Sequence, residues 1–149
     1  MLQRVTRASV RVAGGEVAGS ISRGLVVLLG VASEDGLKDA QYLAQKILNL
    51  RIFSDETGKF NYSLLDIKGE LLAVSQFTLL ADTRKGRRPS FVEAASPARA
   101  KELFDYFVEQ VRSPGLKVET GHFQQHMQVE IHNDGPVTLL LDSRDKFPE

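Results

Sequence analysis

The sequence predicts an α+β fold in which two helices pack on a mainly antiparallel or mixed β-sheet, within a single domain over residues 1–149. Short apolar or alternating runs, separated by turns that contain glycine or proline, are typical of strands. Two longer segments instead repeat their apolar residues at the spacing of a helix face. The chain contains no internal repeat or low-complexity tract that would indicate a second domain.

Antiparallel strands are expected to open the fold. The segment 2–12 alternates well in its second half, whereas Val5 breaks the alternation, so we expect a bulge near the middle of this strand. A glycine turn leads into a second strand that ends at Ile21. A further turn precedes a wholly apolar third strand over residues 25–32.

Two segments show helical periodicity. Ser33–Asp35 supply an N-cap and an acidic first turn for the first helix, and Pro97 occupies the first helical position of the second, which stops before Pro114. The shared apolar faces comprise Leu37, Ala40, Leu43, Ala44, Ile47 and Leu48 in the first helix and Leu103, Phe104, Phe107, Val108 and Val111 in the second. Both faces are expected to pack on the sheet.

The remaining strands surround the segments that carry the chemistry. The run at 70–76 is too apolar for a half-exposed strand and predicts a core strand. Three further strands are expected near 116–119, 127–132 and 137–141. A tight turn at Gly135–Pro136 separates the last two and suggests a hairpin.

Composition narrows the classes of function. The 19 basic and 19 acidic residues balance, so any contact with nucleic acid must come from local clustering. The chain has no cysteine, which excludes disulfides, cysteine nucleophiles and thiolate metal sites and agrees with a reducing compartment. No apolar run approaches the roughly 18 residues of a membrane span, and no signal peptide is recognisable, so a cytoplasmic location without a membrane is expected.

Ser75 and Thr78 offer hydroxyl groups where the core strand ends, but a nucleophile of this kind needs a base within hydrogen-bond reach. His132 shares the polar face of a strand, where a solvated histidine is the ordinary interpretation. His122 and His126 do not lie on one helical face and lack a third ligand, so no metal is expected. The sequence argues against a hydroxyl–histidine–carboxylate triad, and a purely structural role for both hydroxyls stays open.

Two short motifs carry a resemblance to a known family. The segments Ser75-Gln76-Phe77-Thr78-Leu79 and Asn133-Asp134-Gly135-Pro136-Val137-Thr138, in this order, closely resemble the two signature motifs of the D-aminoacyl-tRNA deacylases. Four further blocks match in register, at residues 3–10, 24–31, 46–53 and 84–91. One departure is visible, because Gln124-Gln125 follows Phe123 where the family pattern has a Gly-Ala pair.

The resemblance implies hydrolysis of D-aminoacyl-tRNA to free D-amino acid and tRNA, which is chiral proofreading in translation, and also removal of glycine mischarged on alanine tRNA. It implies that the 2′-hydroxyl of the terminal adenosine takes part in cleaving the ester. The backbone N–H groups of Phe77 and Thr78 would stabilise the oxyanion. No cofactor is implied.

The resemblance further implies a homodimer with its active site at the subunit interface. Ser75 and Gln76 would line the substrate site. A cis bond between Gly135 and Pro136 would enter that site from the partner subunit and exclude L-amino acids sterically. Arg7, on the polar face of the first strand, is expected to hold this turn.

A basic cluster follows the first motif by a few residues and comprises Arg84, Lys85, Arg87 and Arg88. A solvated loop is the ordinary interpretation of such a run, but this one could guide the phosphates of an acceptor stem toward Thr78. The second motif likewise has a plain alternative, which is a simple Asp-Gly turn that closes a hairpin.

Two rival functions stay open. The first is the editing of L-aminoacyl esters on the same scaffold through an altered turn. The second is a noncatalytic tRNA-binding module.

Overall fold

The structure, a computed structural model, describes residues 1–147 and confirms an α+β fold with two helices and a mixed sheet. The elements are β1 (Leu2–Val12), β2 (Val17–Ile21), β3 (Gly24–Leu29), α1 (Leu37–Asn49), β4 (Phe53–Ser54), β5 (Phe60–Tyr62), β6 (Glu70–Ser75), α2 (Pro97–Arg112), β7 (Val118–Thr120) and β8 (Met127–Leu139). Short 3₁₀ helices follow β6 and β8. Neither α-helix in this part of the chain has the length and apolar content needed to cross a membrane.

The central strand of the main sheet is β1, which pairs antiparallel with β2, β3 and β8. The order is β2-β1-β3-β6-β7, and β3 pairs parallel with β6, which pairs parallel with β7. Residues 2–5 of β1 pair with both β3 and β8, so these two strands lie on opposite edges of β1. The pairing with β8 shifts on both sides of Val5, which confirms the irregularity that its broken alternation predicts.

Apolar side chains cover both faces of β3 and β6, which explains why these two strands are almost continuously apolar. One cluster fills the space between the sheet and the two helices, and the other lies on the opposite face. In α2 the five residues predicted to face the core are all buried, and Ser96 caps the helix in front of Pro97. Helix α2, which supports the sheet, is therefore held both by its buried apolar face and by its N-cap.

The first helix begins later than the sequence predicts. Its N-cap is Gly36, and the expected cap at Ser33–Asp35 is wrong. The Asp35 carboxylate instead accepts a hydrogen bond of 2.7 Å from the Ala32 N–H, while Asp39, inside the first turn, accepts one of 2.8 Å from the Gly36 N–H. Leu37, expected on the buried face, consequently lies at the helix start with 49% of its surface exposed.

The predicted hairpin at the end of the chain is also wrong, because β8 is one continuous strand. Asn133 pairs with Val5 and Thr138 pairs with Gln3, so both flanks of the turn run along the same neighbour, β1. The four residues between these pairs lie opposite Arg4 alone. They form an outward loop on the sheet edge, which we call the edge loop (residues 134–137).

Candidate active site

The first motif begins where β6 ends. The Gln76 N–H donates to the Leu29 carbonyl at 2.8 Å, and the chain then turns into a 3₁₀ helix at Phe77–Leu80. The strand before it is buried at Leu71–Val74, so the turn starts from a rigid base. Buried strand ends of this kind hold side chains and amides in defined positions.

The N–H groups of Phe77 and Thr78 precede the first hydrogen bond of the 3₁₀ helix. That first bond runs from the Leu79 N–H to the Gln76 carbonyl at 3.3 Å. Within residues 1–147, neither the Phe77 nor the Thr78 amide donates to a protein acceptor. Two adjacent unpaired amides at an exposed turn are suited to bind a developing oxyanion.

The hydroxyl of Thr78 accepts a hydrogen bond from the Gln76 side-chain amide. In the described part of the chain it forms no hydrogen bond with a histidine or a carboxylate. An amide does not act as a general base, so this arrangement does not activate the hydroxyl as a nucleophile.

Gly30 explains how the 3₁₀ helix comes so close to β3. A Cβ atom at this position would lie 2.6 Å from Leu80 Cδ2 and 3.2 Å from the Gln76 carbonyl oxygen. Any side chain here would therefore push against the turn that carries the two free amides. Sequence reasoning missed this residue, and the only signal was a glycine at the end of an apolar strand.

An aromatic contact covers the other side of the turn. Phe77 is 57% exposed and meets Phe91 edge to face, with the ring centroids 5.0 Å apart. Val92, the next residue, is 82% exposed. The candidate site thus has an apolar border beside its amides.

The basic cluster forms a short loop between Asp82 and Ser90. These two residues exchange backbone hydrogen bonds of 2.8 and 2.9 Å. Arg84 folds back onto the Asp82 carboxylate at 2.8 Å, and this contact holds the pKa of Asp82 below its ordinary value. In residues 1–147, Lys85, Arg87 and Arg88 form no ion pair, so three of the four cations are free for a ligand.

The edge loop is exposed from Asp134 to Pro136, and its Gly135–Pro136 peptide bond is cis. Gly135 has φ +124°, a conformation that side chains rarely adopt. Asn133 lies at the base of the loop, where its side-chain oxygen Oδ1 accepts a hydrogen bond from the Val137 N–H at 3.0 Å. The loop is therefore shaped by local polar contacts.

Arg4 holds the edge loop to the body of the protein. Its Nε donates to the Asp134 carbonyl at 3.1 Å, and its Nη1 donates to the Ile52 carbonyl at 2.9 Å. The guanidinium also lies 5.4 Å from the ring centroid of Phe60 and 3.4 Å from the Asp134 carboxylate. Arg4 is buried, although a charged residue at a strand position is ordinarily solvated.

Arg7, which the sequence pointed to, does not contact the loop of its own chain. Its side chain is 68% exposed and reaches His132 Nε2 at 3.2 Å. His132 also lies 2.7 Å from Glu130, whose pKa it lowers by hydrogen bonding and by charge. Within one chain the contact expected of Arg7 is made by Arg4, and a contact of Arg7 with a partner subunit's loop stays a prediction.

The two motifs lie far apart in a single chain. Arg4 pairs with Leu25, Leu25 pairs with Leu71, and Ser75 lies four residues further along β6. At strand rise and spacing, the edge loop is displaced from the end of β6 by roughly 13 Å along the strands and roughly 14 Å across them. One chain therefore does not bring the edge loop to the free amides.

The departure at Gln124 also has a structural counterpart. Gln124 has φ +61°, in the left-handed region that favours glycine. A glycine at this position, as the family pattern has it, would adopt the same backbone without a steric penalty. The larger side chain projects from the exposed segment that leads into β8.

Comparisons with known proteins agree with the resemblance that the two motifs carry. The family model described as D-Tyr-tRNA(Tyr) deacylase matches residues 1–142. D-aminoacyl-tRNA deacylases of Fervidobacterium nodosum and Dehalococcoides mccartyi strain BAV1 are 58% and 61% identical over 147 residues, covering 99% of this chain and 98% and 95% of theirs.

Two solved structures resemble the fold. A c-Myc DNA unwinding element binding protein has a TM-score of 0.87 at 47% identity, over 95% of both chains. A probable eukaryotic D-amino acid tRNA deacylase has a TM-score of 0.75 at 18% identity, over 87% of this chain and 91% of its own, and at that identity the likeness concerns the fold alone.

Proposed function

The chain belongs to the D-Tyr-tRNA(Tyr) deacylase family, and from this premise we propose how its two motifs divide the reaction between them. The enzyme is a hydrolase that cleaves the ester bond of D-aminoacyl-tRNA into free D-amino acid and tRNA. In our proposal the first motif of one subunit stabilises the reaction, and the edge loop of the partner subunit selects the substrate.

The observation that carries this proposal is the pair of free amides at Phe77 and Thr78, beside a hydroxyl that lacks a base. During ester cleavage the carbonyl oxygen gains negative charge, and an N–H donor aimed at it typically contributes about 2.7–4 kcal/mol. Ser75 and Gln76 line the approach to these donors. The catalytic contribution of the protein is therefore electrostatic and positional.

The attacking group is then a water molecule, whose oxygen enters the released carboxylic acid while the ester oxygen leaves with the tRNA. We assign the activation of this water to the 2′-hydroxyl of the terminal adenosine, which lies next to the ester in every aminoacyl-tRNA. A substrate whose terminal ribose carries hydrogen in place of this hydroxyl should not turn over. Full activity on that 2′-deoxy substrate would contradict RNA assistance, while Thr78→Ala should only weaken positioning.

The filter in this proposal is steric. Carbonyl groups at Gly135 and Pro136 of the partner subunit lie beside the α-carbon of the substrate, where hydrogen fits and an L side chain does not. A D-amino acid and glycine both pass, which extends the activity to glycine mischarged on alanine tRNA. A side-chain pocket would instead discriminate by size, at about 10- to 200-fold per methylene.

This arrangement requires a homodimer, and the separation of the two motifs within one chain supports it. The outer edge of β8, a 13-residue strand, is a surface through which such an assembly could form. Arg7 is our candidate for a contact to the partner subunit's edge loop. Sedimentation of a monomer at working concentration would contradict the shared site.

We assign the tRNA backbone to the free cations Lys85, Arg87 and Arg88, with Arg84 in a weaker role because it is paired with Asp82. Neutralising Arg87 and Arg88 together should lower the affinity for tRNA and flatten its dependence on salt by about 1.5 log units per log unit of salt. Arg84→Gln is the comparison, and it should change the salt slope less because Arg84 is already paired with Asp82. Equal salt slopes in parent and double variant would remove this loop from the RNA surface.

The decisive assay follows the loss of ester from D-tyrosyl-, L-tyrosyl- and glycyl-tRNA. Loss of the D-tyrosyl and glycyl esters with retention of the L-tyrosyl ester supports the proposal. Loss of the L-ester supports an editing enzyme for L-amino acids, and binding without turnover supports a tRNA-binding module. If the protein cleaves the D-tyrosyl and glycyl esters, we expect a cytoplasmic location, because that is where its tRNA substrate is used.

A further inference from the structure

A second set of side chains, separate from Arg4, supports the edge loop at its base. The Asn133 side-chain amide donates to the Thr138 hydroxyl at 2.8 Å, and its carbonyl oxygen accepts the Val137 N–H at 3.0 Å. The Gln3 side-chain amide also donates to the Thr138 hydroxyl, at 3.2 Å. We call these three residues, Gln3, Asn133 and Thr138, the bracket.

The bracket joins the two ends of the loop directly. Asn133 is the last residue paired with β1 before the loop, and Thr138 is the first one paired after it. Their side-chain hydrogen bond therefore fixes the width of the loop at its base. Gln3 lies opposite Thr138 on β1 and ties this base to the sheet.

The bracket and Arg4 act on different parts of the loop. Arg4 binds the carbonyl of Asp134, at the start of the loop, whereas Asn133 binds the N–H of Val137, at its end. Gly135 and Pro136 lie between these two anchors and are exposed. Loss of either anchor would free one arm of the loop while the other arm stays attached.

We propose that Asn133 and Thr138 are positioning residues that determine stereochemical selectivity by holding the edge loop at a fixed width. The inference rests on the proposed function, in which this loop excludes L side chains. A steric filter works only if its walls do not yield, and displacements of about 1 Å are enough to change rates by about 100-fold. The bracket supplies that rigidity through hydrogen bonds and leaves the free amides of the first motif untouched.

Thr138→Val is the sharpest test, because valine has the shape of threonine without the hydroxyl. It removes the shared acceptor of Asn133 and Gln3, both of which water can then solvate at this exposed site. We expect the ratio of kcat/KM for D-tyrosyl- over L-tyrosyl-tRNA to fall at least tenfold. The fall should come mainly from a rise in kcat for the L-ester, with the KM for the D-ester within twofold of the parent.

Two further variants complete the test. Thr138→Ser restores the hydroxyl and should restore the parent ratio within threefold, while Asn133→Ala, which removes both bonds at once, should lower the ratio at least as far as Thr138→Val. The thermal midpoint of each variant is measured alongside, so that loss of fold is recognised. Gln128→Ala, on an exposed position of β8 away from the loop, is the control for a change in strand stability.

The outcomes separate the inference from its premise. If the parent does not prefer the D-ester, both the proposed function and the bracket are overturned. If Pro136→Gly, which frees the backbone of the loop, lowers the D/L ratio but folded Thr138→Val and Asn133→Ala keep it within twofold of the parent, the filter stands and the bracket is overturned. If none of the three changes the ratio, the edge loop is not the filter and the inference fails with it.

Discussion

The two motifs of this chain are supported in opposite ways. The turn at Ser75–Leu80 follows a strand that is buried on both faces and rests against Gly30, so apolar packing holds it. The edge loop projects from the outer strand of the sheet and is held by side-chain hydrogen bonds from Arg4 and Asn133. One half of the proposed site is therefore part of the core, and the other half is a polar attachment to it.

In the proposed function, this difference gives rate and selectivity separate physical supports. A change in the core then acts on stability and on the amides of Phe77 and Thr78, because β6 carries the turn that presents them. A change in the polar attachments acts on the shape of the edge loop and leaves the turn after β6 in place. The following variants test whether the two supports are as independent as the contacts suggest.

Leu72→Ala should have the largest effect on stability. Leu72 is fully buried in β6, and truncation of such a leucine typically costs about 2–5 kcal/mol of unfolding free energy. Chemical denaturation measures the loss. At denaturant concentrations below its unfolding transition, the variant should keep the parent ratio of kcat/KM for D-tyrosyl- over L-tyrosyl-tRNA. Leu72→Met, which conserves volume, is the control. A changed ratio in the folded variant would show that the two supports are coupled.

Arg4→Met should come second. It removes the donors to the Asp134 and Ile52 carbonyls, and an unsatisfied buried acceptor costs about 1–3 kcal/mol. Because the edge loop loses its first anchor, we expect the D/L ratio to fall more than tenfold, as measured by ester-loss kinetics.

Arg7→Met is the matched comparison for Arg4→Met, since Arg7 is an exposed arginine on the same strand. Its unfolding free energy should change by less than about 0.5 kcal/mol. A lower D/L ratio with Arg7→Met would place its contact in the partner subunit. Parent-like selectivity with Arg4→Met would contradict the assignment of the loop anchor.

Gly30→Ala should cost less stability, about 1 kcal/mol, because the closest atom belongs to the Leu80 side chain, which can turn aside. The turn that carries Phe77 and Thr78 would nevertheless shift. We expect kcat to fall for the D-ester and the glycyl ester by the same factor, with an unchanged D/L ratio. A selective change for one ester would mean that Gly30 also shapes the substrate pocket.

Asp35→Asn should have the smallest effect on the free energy of unfolding, and this effect should depend on pH. Burial raises the pKa of Asp35, and the charges of Asp39 and Asp142 add to this, although the Ala32 N–H opposes it. The folded state therefore binds this proton more tightly than the unfolded state, so stability falls as pH rises through the raised pKa. Solvent screens the half-buried carboxylate and keeps the effect small.

Asparagine keeps an oxygen acceptor for the Ala32 N–H but carries no charge. The denaturation midpoint of Asp35→Asn should match that of the parent below the ordinary carboxyl pKa and exceed it at neutral pH. A variant that is less stable than the parent at neutral pH would show that the carboxylate is favourable where it lies.

The parts of the fold that follow periodicity were predictable from sequence. The five core residues of α2 have the spacing of one helix face, and tertiary packing agrees with that pattern. The start of α1 was not predictable in the same way, because Asp35 is a suitable cap by residue type but accepts the Ala32 N–H in the turn after β3. The helix instead begins after Gly36, whose N–H is bound by Asp39 in the first turn.

The candidate site shows the same division. The first motif could be located because a polar segment follows an apolar strand. The path of the edge loop could not, because a Gly-Pro turn between an alternating run and an apolar run is equally compatible with a hairpin and with a loop in one strand. Pairing of both flanks with β1 is a long-range property, and it decides that Arg4, instead of Arg7, faces the loop.

The pairing of β1 with β8 also sets the order of events during synthesis. Leu2 pairs with Leu139, so the edge of β1 that faces β8 stays unpaired until the last strand, β8, has been synthesised. Such long-range pairing forms late, because the chain must first lose the entropy of closing a very large loop. The turn after β6 leaves the ribosome well before the edge loop does. In the proposed function, the segment that selects the substrate is therefore made after the segment that stabilises the reaction.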